Sequence, residues 1–138
     1  MTMGGNKLFV DTNVLVYAVV IESPFHVVAR AALSTYERLG WESWISRQVM
    51  REFITTFTRP HAFLNPIALT MLTAMVRSFE TRFQIAEDNA QVTNHLLSLI
   101  EQIPMGGKLI HDANIVATMQ AYGINHLLTH NLKDFVRF

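Results

Sequence analysis

Residues 7–13 read K-L-F-V-D-T-N, and the run V-L-V-Y-A-V-V-I follows at 14–21. Leu8, Phe9 and Val10 make a short continuous apolar segment. That is the pattern of a strand buried on both faces, with a buried helical segment as the competing reading. Phe and Val favour the strand. The segment runs straight into Asp11, and a carboxylate at the end of a buried strand is costly unless something there needs it. Thr12 and Asn13 can hydrogen-bond the turning backbone and hold that carboxylate in place. Two roles for Asp11 stay open on these residues alone. It is a metal ligand at the C-terminal tip of a strand, or a cap for the helix formed by the apolar run that follows.

The bulk properties narrow the field. The chain has 138 residues, the size of one domain spanning 1–138, and 50% of it is hydrophobic, enough for a substantial core. Eleven Lys and Arg balance eleven Asp and Glu, so the formal net charge is zero. A broad electrostatic attraction to nucleic acid is therefore not indicated, and any such contact must come from a local basic patch. The absence of cysteine excludes disulfides and zinc–thiolate sites and suits a reducing cytoplasm. The leader at 1–6 is short and polar, unlike a signal peptide. The apolar run after Asn13 ends at Glu22, too short to cross a bilayer, so no membrane association is expected.

Strands and helices alternate along the rest of the chain. A helix is expected over 12–20. Ser23-Pro24 is a helix-start signal, followed at helical spacing by Phe25, Val28, Ala32, Tyr36 and Leu39, with Gly40 as the stop. Residues 41–45 read as a second strand. Ser46 can cap a third helix whose apolar stripe is Val49, Met50, Phe53, Ile54 and Phe57. At roughly 100° per residue that stripe spans about 140°, and Glu52 falls just off its edge beside Thr56. A boundary position of this kind reaches a cleft between helix and sheet, or stays a solvated surface glutamate.

Arg59-Pro60 ends that helix, and Asn65-Pro66 is expected to start another, with Ile67, Met71, Met75 and Phe79 on one face. Its methionines suit flexible core or interface filling. A third short strand is expected at 83–86. Asp88 with Gln91 reads as a capping box for a helix carrying Val92, Leu96, Leu99 and Ile103. Gly106-Gly107-Lys108 lacks the rest of a phosphate-binding loop and reads as a turn. The helix H-D-A-N-I-V-A-T-M-Q-A-Y places Asp112 near its N-terminus, where an acidic residue is also favoured by the helix dipole. A fourth strand over 125–129 leads into His130, Asn131, Leu132, Lys133 and Asp134, and 135–138 could add a short edge strand.

This alternation indicates a parallel sheet covered on both faces. In such sheets ligands gather beyond the C-terminal ends of the strands. Asp11 and Asn131 lie just past two strand ends, and Glu52 and Asp112 are expected in the first turns of helices that face the same rim. Clustered carboxylates repel one another and need a cation or shared protons. Hard oxygen ligands select Mg²⁺ or Mn²⁺ over zinc. An ion of that kind polarises a phosphate and activates water, so the reaction class is phosphodiester hydrolysis. No G-x-S-x-G elbow supports a serine hydrolase. His111 and His130 flank the proposed site as rim residues. Arg47, Arg51, Arg59, His61 and Lys108 are candidates for gripping a nucleic-acid backbone, each equally readable as part of a solvated face.

The whole set resembles a PIN-domain ribonuclease of the VapC toxin type. The resemblance rests on F-V-D-T-N-V-L, V-M-R-E-F, H-D-A-N-I-V-A-T and L-L-T-H-N-L-K-D-F in that order, and it spans nearly the whole chain. It implies a three-layer α/β/α sandwich around a parallel sheet, and Mg²⁺- or Mn²⁺-dependent cleavage of RNA. Asp11, Glu52 and Asp112 match the family's acidic metal-ligand positions, and the fourth acidic position falls on Asn131. An amide is a weaker ligand and cannot act as a base, which opens the alternative that Asp134 takes this role. Thr12 or Thr129 would orient ligands or water, and Arg51 and Lys108 would contact RNA. The family often forms homodimers, with a paired antitoxin blocking the cleft, and the helix around Met71 and Met75 is a candidate contact surface. Two other functions are weighed. One is a non-catalytic RNA-binding or assembly module on the same fold, motivated by Asn131 and the neutral charge. The other is a phosphatase using Asp11 as nucleophile, against which Asn13 stands where the second Asp of a D-x-D-x-T pattern belongs.

Overall fold

The structure, a computed structural model, describes residues 5–138; the leader expected at 1–6 lies mostly outside the described residues. The order of elements is β1 (Lys7–Val10), α1 (Thr12–Val19), α2 (His26–Arg38), β2 (Glu42–Ser46), α3 (Arg47–Thr58), α4 (Leu69–Arg82), β3 (Gln84–Ala86), α5 (Ala90–Gln102), α6 (Leu109–Ala121) and β4 (His126–Leu128). A short 3-10 turn at Leu132–Asp134 follows. The strands form one parallel sheet in the order β3-β2-β1-β4.

β1 is an interior strand, with Phe9 paired to Trp44 on one side and Leu127 on the other. Leu8, Phe9 and Val10 are buried on both faces, which explains why their apolar run is continuous instead of alternating. Helices α1 to α4 pack on one another, and α5 packs on α6, giving helical layers around the sheet. The larger core joins β1 and β2 to Val14, Val49, Phe53, Phe79 and Ile115. A smaller one is built on Val92, Leu99 and Ala117 between α5 and α6. The parallel sheet and the three-layer α/β/α sandwich are as expected.

Several boundaries differ from expectation for local reasons. Ser23 does not cap α2 directly; its Oγ accepts from the Phe25 N–H at 3.1 Å, and the helix begins at His26. Gly40 adopts φ +79°, the left-handed conformation that ends α2 and that side chains resist. Pro66 does not open α4, which starts at Leu69. The residue before a proline is held extended, and Ile67 packs onto the core ahead of the first helical turn. Asn89, not Asp88, caps α5, its side chain accepting from the Val92 N–H at 3.1 Å. The edge strand expected at 135–138 does not form. Phe135 packs against the main core and Phe138 against the α5–α6 core, so the chain curls over the sheet end and leaves β4 at the edge. No helix among the described residues is long and apolar enough to cross a membrane.

Candidate functional site

Asp11 follows β1 directly, and its backbone N–H donates to the Leu128 carbonyl at 3.0 Å, prolonging the β1–β4 ladder by one bond. The carboxylate is thereby fixed at the C-terminal rim of the sheet. Of the two roles left open by the sequence, the helix cap is visible in its contacts, and the other requires a cleft, which the carboxylate borders. Asp11 is the N-cap of α1, its Oδ1 accepting from the Thr12 N–H at 2.8 Å. Its Oδ2 accepts from the Thr129 hydroxyl at 2.8 Å and, more weakly, from the Asn13 amide at 3.4 Å, and it borders a cleft.

That cleft, ≈ 650 Å³, is bordered by Asp11, Thr12, Glu52, Asp112, Asn131 and Asp134, with Tyr17, Arg59 and Phe63 on its walls. The sequence-predicted site residues Asp11, Glu52, Asp112 and Asn131 are therefore brought to one place. Glu52 lies in the second turn of α3, not its first, because α3 begins at Arg47 directly after β2. Its Oε1 accepts from the Gln48 amide at 2.8 Å and its Oε2 from the Thr12 hydroxyl at 3.3 Å. Asp112 lies in the first turn of α6, as expected.

Gln48 is the residue sequence reasoning missed. It is buried, and it ties α3 to α6. Its amide also donates to the His111 carbonyl at 2.9 Å, while its Oε1 accepts from the Asn114 amide at 2.8 Å. The signal was available in its position one helical turn before Glu52, on the same face. Tyr17 and Phe63 on the walls depend on loop and helix packing that no spacing reveals.

The basic candidates separate. Arg59 borders the cleft. Arg51 and Lys108 are exposed and do not border it. Arg47 is engaged by Glu80 at 2.5 Å and Glu87 at 2.6 Å, which hold its guanidinium in its charged form. Thr129 uses its hydroxyl on Asp11, so it orients the carboxylate. His61, next to Pro60 on the cleft loop, adopts φ 59° in the left-handed region. The Asn131 N–H donates to the Thr129 Oγ1 at 3.1 Å.

The electrostatics show how closely these groups are coupled. Burial pushes the Asp11 carboxyl up, against the opposing pull of the Thr129 hydroxyl and the Thr12 N–H, and the charge on Asp134 adds to the rise. Burial also pushes Glu52 up, offset by the Gln48 amide and reinforced by Asp11. Asp112 is pushed up to about 6, first by burial and then by the charges of Asp134, Asp11 and Glu52. Asp134 thus supplies the fourth negative charge that Asn131 lacks.

The donor set fits a hard divalent cation: carboxylates, hydroxyls and an amide oxygen, with Arg59 the single cationic side chain among the described residues on the cleft wall. The carboxylates share one field without closing on one point. Among the described residues, no three Asp, Glu or His side chains form a ready-made cage. That arrangement suits an ion held by one or two carboxylates and keeping several waters, the usual habit of Mg²⁺.

A parallel α/β/α sandwich with acidic side chains gathered beyond the strand ends defines the class of protein. The PIN domain family model matches residues 8–138, and the chain belongs to the PIN domain family. No curated protein sequence matches it. Solved structures share the fold at low identity. A chain of VapBC2 from Rickettsia felis, solved bound to a DNA fragment from its promoter, is 19% identical with a TM-score of 0.67, covering 96% of this chain and 92% of that one. VapC20 of Mycobacterium tuberculosis, described as a sarcin-ricin loop cleaving toxin, is 15% identical with a TM-score of 0.69, covering 91% and 92%. A chain of DNA-bound VapBC from Salmonella typhimurium is 21% identical with a TM-score of 0.62, covering 94% and 90%.

Proposed function

We propose that this protein is a Mg²⁺- or Mn²⁺-dependent endoribonuclease and the toxin of a toxin–antitoxin pair. The observation that carries the reading is the meeting of Asp11, Glu52 and Asp112, far apart in sequence, on one cleft at the sheet's C-terminal rim. Membership of the PIN domain family and the likeness to VapC and VapBC structures support it. In this reading the chain acts as a single domain in the cytoplasm, its cleft is covered by an antitoxin when inactive, and two copies associate as a homodimer.

Of Asp11, Glu52 and Asp112, one or two would bind the ion directly and the rest through the waters it keeps. When bound, it supplies Lewis-acid polarisation of a phosphate oxygen and lowers the pKa of a water molecule. The protein's own part is positioning. The Thr12 N–H and the Thr129 hydroxyl fix the two oxygens of Asp11. Gln48 and Thr12 fix those of Glu52. Asp134 borders the cleft and adds charge beside Asp11 and Asp112, and in this reading it accepts a proton from attacking water, a capacity Asn131 lacks. Arg59 on the cleft wall grips a phosphate oxygen of the RNA chain. The presence of Asp134 favours catalysis over the non-catalytic RNA-binding module, because the acidic set is complete without residue 131.

The test is incubation of RNA with purified protein and Mn²⁺ or Mg²⁺, comparing wild type with Asp11→Asn. Cleavage by the wild type alone is expected. Equal cleavage by the Asn variant would overturn the assignment. Binding of RNA without cleavage, with no cation affinity by calorimetry, would favour the non-catalytic module.

A further inference from the structure

Three aromatic rings meet where the loop between α1 and α2 touches the loop after β4. The ring centroids of Phe25 and His130 lie 4.0 Å apart, those of Tyr17 and His130 5.0 Å, and those of Tyr17 and Phe25 5.1 Å. The cluster adjoins the cleft, since Tyr17 borders it and His130 precedes Asn131, which also borders it. It is tied to the acidic centre as well. The His130 N–H donates to the Asn13 Oδ1 at 3.1 Å, and the Asn13 amide reaches the Asp11 Oδ2 at 3.4 Å. On the other side, the His26 Nδ1 lies 2.9 Å from the Tyr17 carbonyl and pins the loop that carries Phe25.

Packing alone does not account for this cluster. Phe25 belongs to neither apolar core and is 38% exposed, and His130 is exposed beside it. Tyr17 is half-buried against the main core, and Phe25 and His130 pack on it with exposed surface beside the acidic cleft.

Charge poses a problem that such a surface answers. The chain has zero formal net charge, and its cleft carries four carboxylates against the single guanidinium of Arg59. Phosphate contacts therefore rest on Arg59 and on the cation the site would hold, and contacts to the bases would add to them. Unpaired bases stack on exposed aromatic side chains, and such stacking tolerates any base because each has a π-face. We propose that Tyr17, Phe25 and His130 form a stacking subsite for an unpaired nucleobase of single-stranded RNA, next to the phosphate that is cleaved. The inference rests on the ribonuclease reading. It sets an unpaired base beside the cleaved phosphate and ranks purines above pyrimidines because of their larger π-face.

The experiment uses short single-stranded RNA carrying 2-aminopurine, whose fluorescence is quenched by stacking, with Ca²⁺ in place of Mg²⁺ or Mn²⁺. Binding by the wild type with quenching is expected, and Phe25→Leu and His130→Ala should each weaken it about tenfold. Phe25→Trp should retain it. The dependence of log K on log salt should correspond to about one or two phosphates and stay unchanged in these variants. If Phe25→Leu does not fold, His130→Ala, on an exposed loop, carries the comparison. Affinity and quenching within about twofold of wild type in the folded variants would overturn the subsite while leaving the nuclease reading intact, provided the wild type still cleaves RNA. Absence of both binding and cleavage in the wild type would overturn the two together.

Discussion

Asp112→Asn should make the metal-free protein more stable at neutral pH while removing its activity. The Asp112 carboxyl is pushed from 3.8 up to about 6 by burial and by Asp134, Asp11 and Glu52. The folded state therefore binds a proton more readily than the unfolded chain. The stability this group contributes is fully present below 3.8 and is lost as pH rises through about 6. At about 1.36 kcal/mol per pH unit, that displacement corresponds to about 3 kcal/mol in a dry site. Asp112 is partly open to water, so screening reduces the figure to about 1–1.5 kcal/mol. The favourable interaction of its charge with the N-terminus of α6, about 0.3–0.5 kcal/mol, is also lost on neutralisation. The net gain for the Asn variant is about 1 kcal/mol at pH 7.5, a rise in Tm of about 3–6 °C for a chain of this size. Thermal melts followed by circular dichroism in EDTA, at pH 4 and 7.5, provide the assay. The variant should melt higher at pH 7.5 and within about 1 °C of wild type at pH 4. Mn²⁺ should narrow the gap at pH 7.5, because it stabilises only the state that binds it. A variant equally or less stable than wild type at pH 7.5, or a difference independent of pH, would refute the claim that burial and the neighbouring carboxylates disfavour the charge on Asp112.

Gln48→Leu should strand Glu52, the His111 carbonyl and the Asn114 amide, costing about 2 kcal/mol in denaturant unfolding and about 10- to 100-fold in cleavage rate. Asp134→Asn should reduce the rate by about 10- to 100-fold and Asn131→Ala by about fivefold or less, since the charge rests on the former; single-turnover kinetics would show the order. Arg59→Ala should raise KM several-fold with kcat little changed, and lower the salt dependence of binding by about one phosphate contact.

The strand at residues 7–10 was legible because a strand buried on both faces writes itself as an unbroken apolar run ending at Asp11. Its parallel neighbours followed from the alternation of strands with helices. Glu52 was legible as an acid just off an apolar helical stripe, and Asp112 as an acid near the N-terminus of a helix facing the same rim. Boundaries set by tertiary contacts were not. Ile67 delays α4 by packing extended, and Phe135 and Phe138 draw the C-terminal segment away from the sheet edge. The bond of Gln48 to Glu52 was within reach of local spacing, but its partners on α6 lie more than sixty residues away, which spacing does not encode. Asn131 and Asp134 both border the cleft, the second after a 3-10 turn at Leu132–Asp134 that no motif announces. The wall residues Arg59 and Tyr17 carry no motif at all.

The central claim is that carboxylates at the rim of the sheet direct a cation-assisted attack of water on an RNA phosphate. The chemistry of the product ends tests it most directly. RNA cut by the wild type in Mn²⁺ should yield 5′-phosphate and 3′-hydroxyl ends by mass spectrometry, with no cutting in EDTA. Products ending in 2′,3′-cyclic phosphate, formed at the same rate in EDTA, would contradict the account.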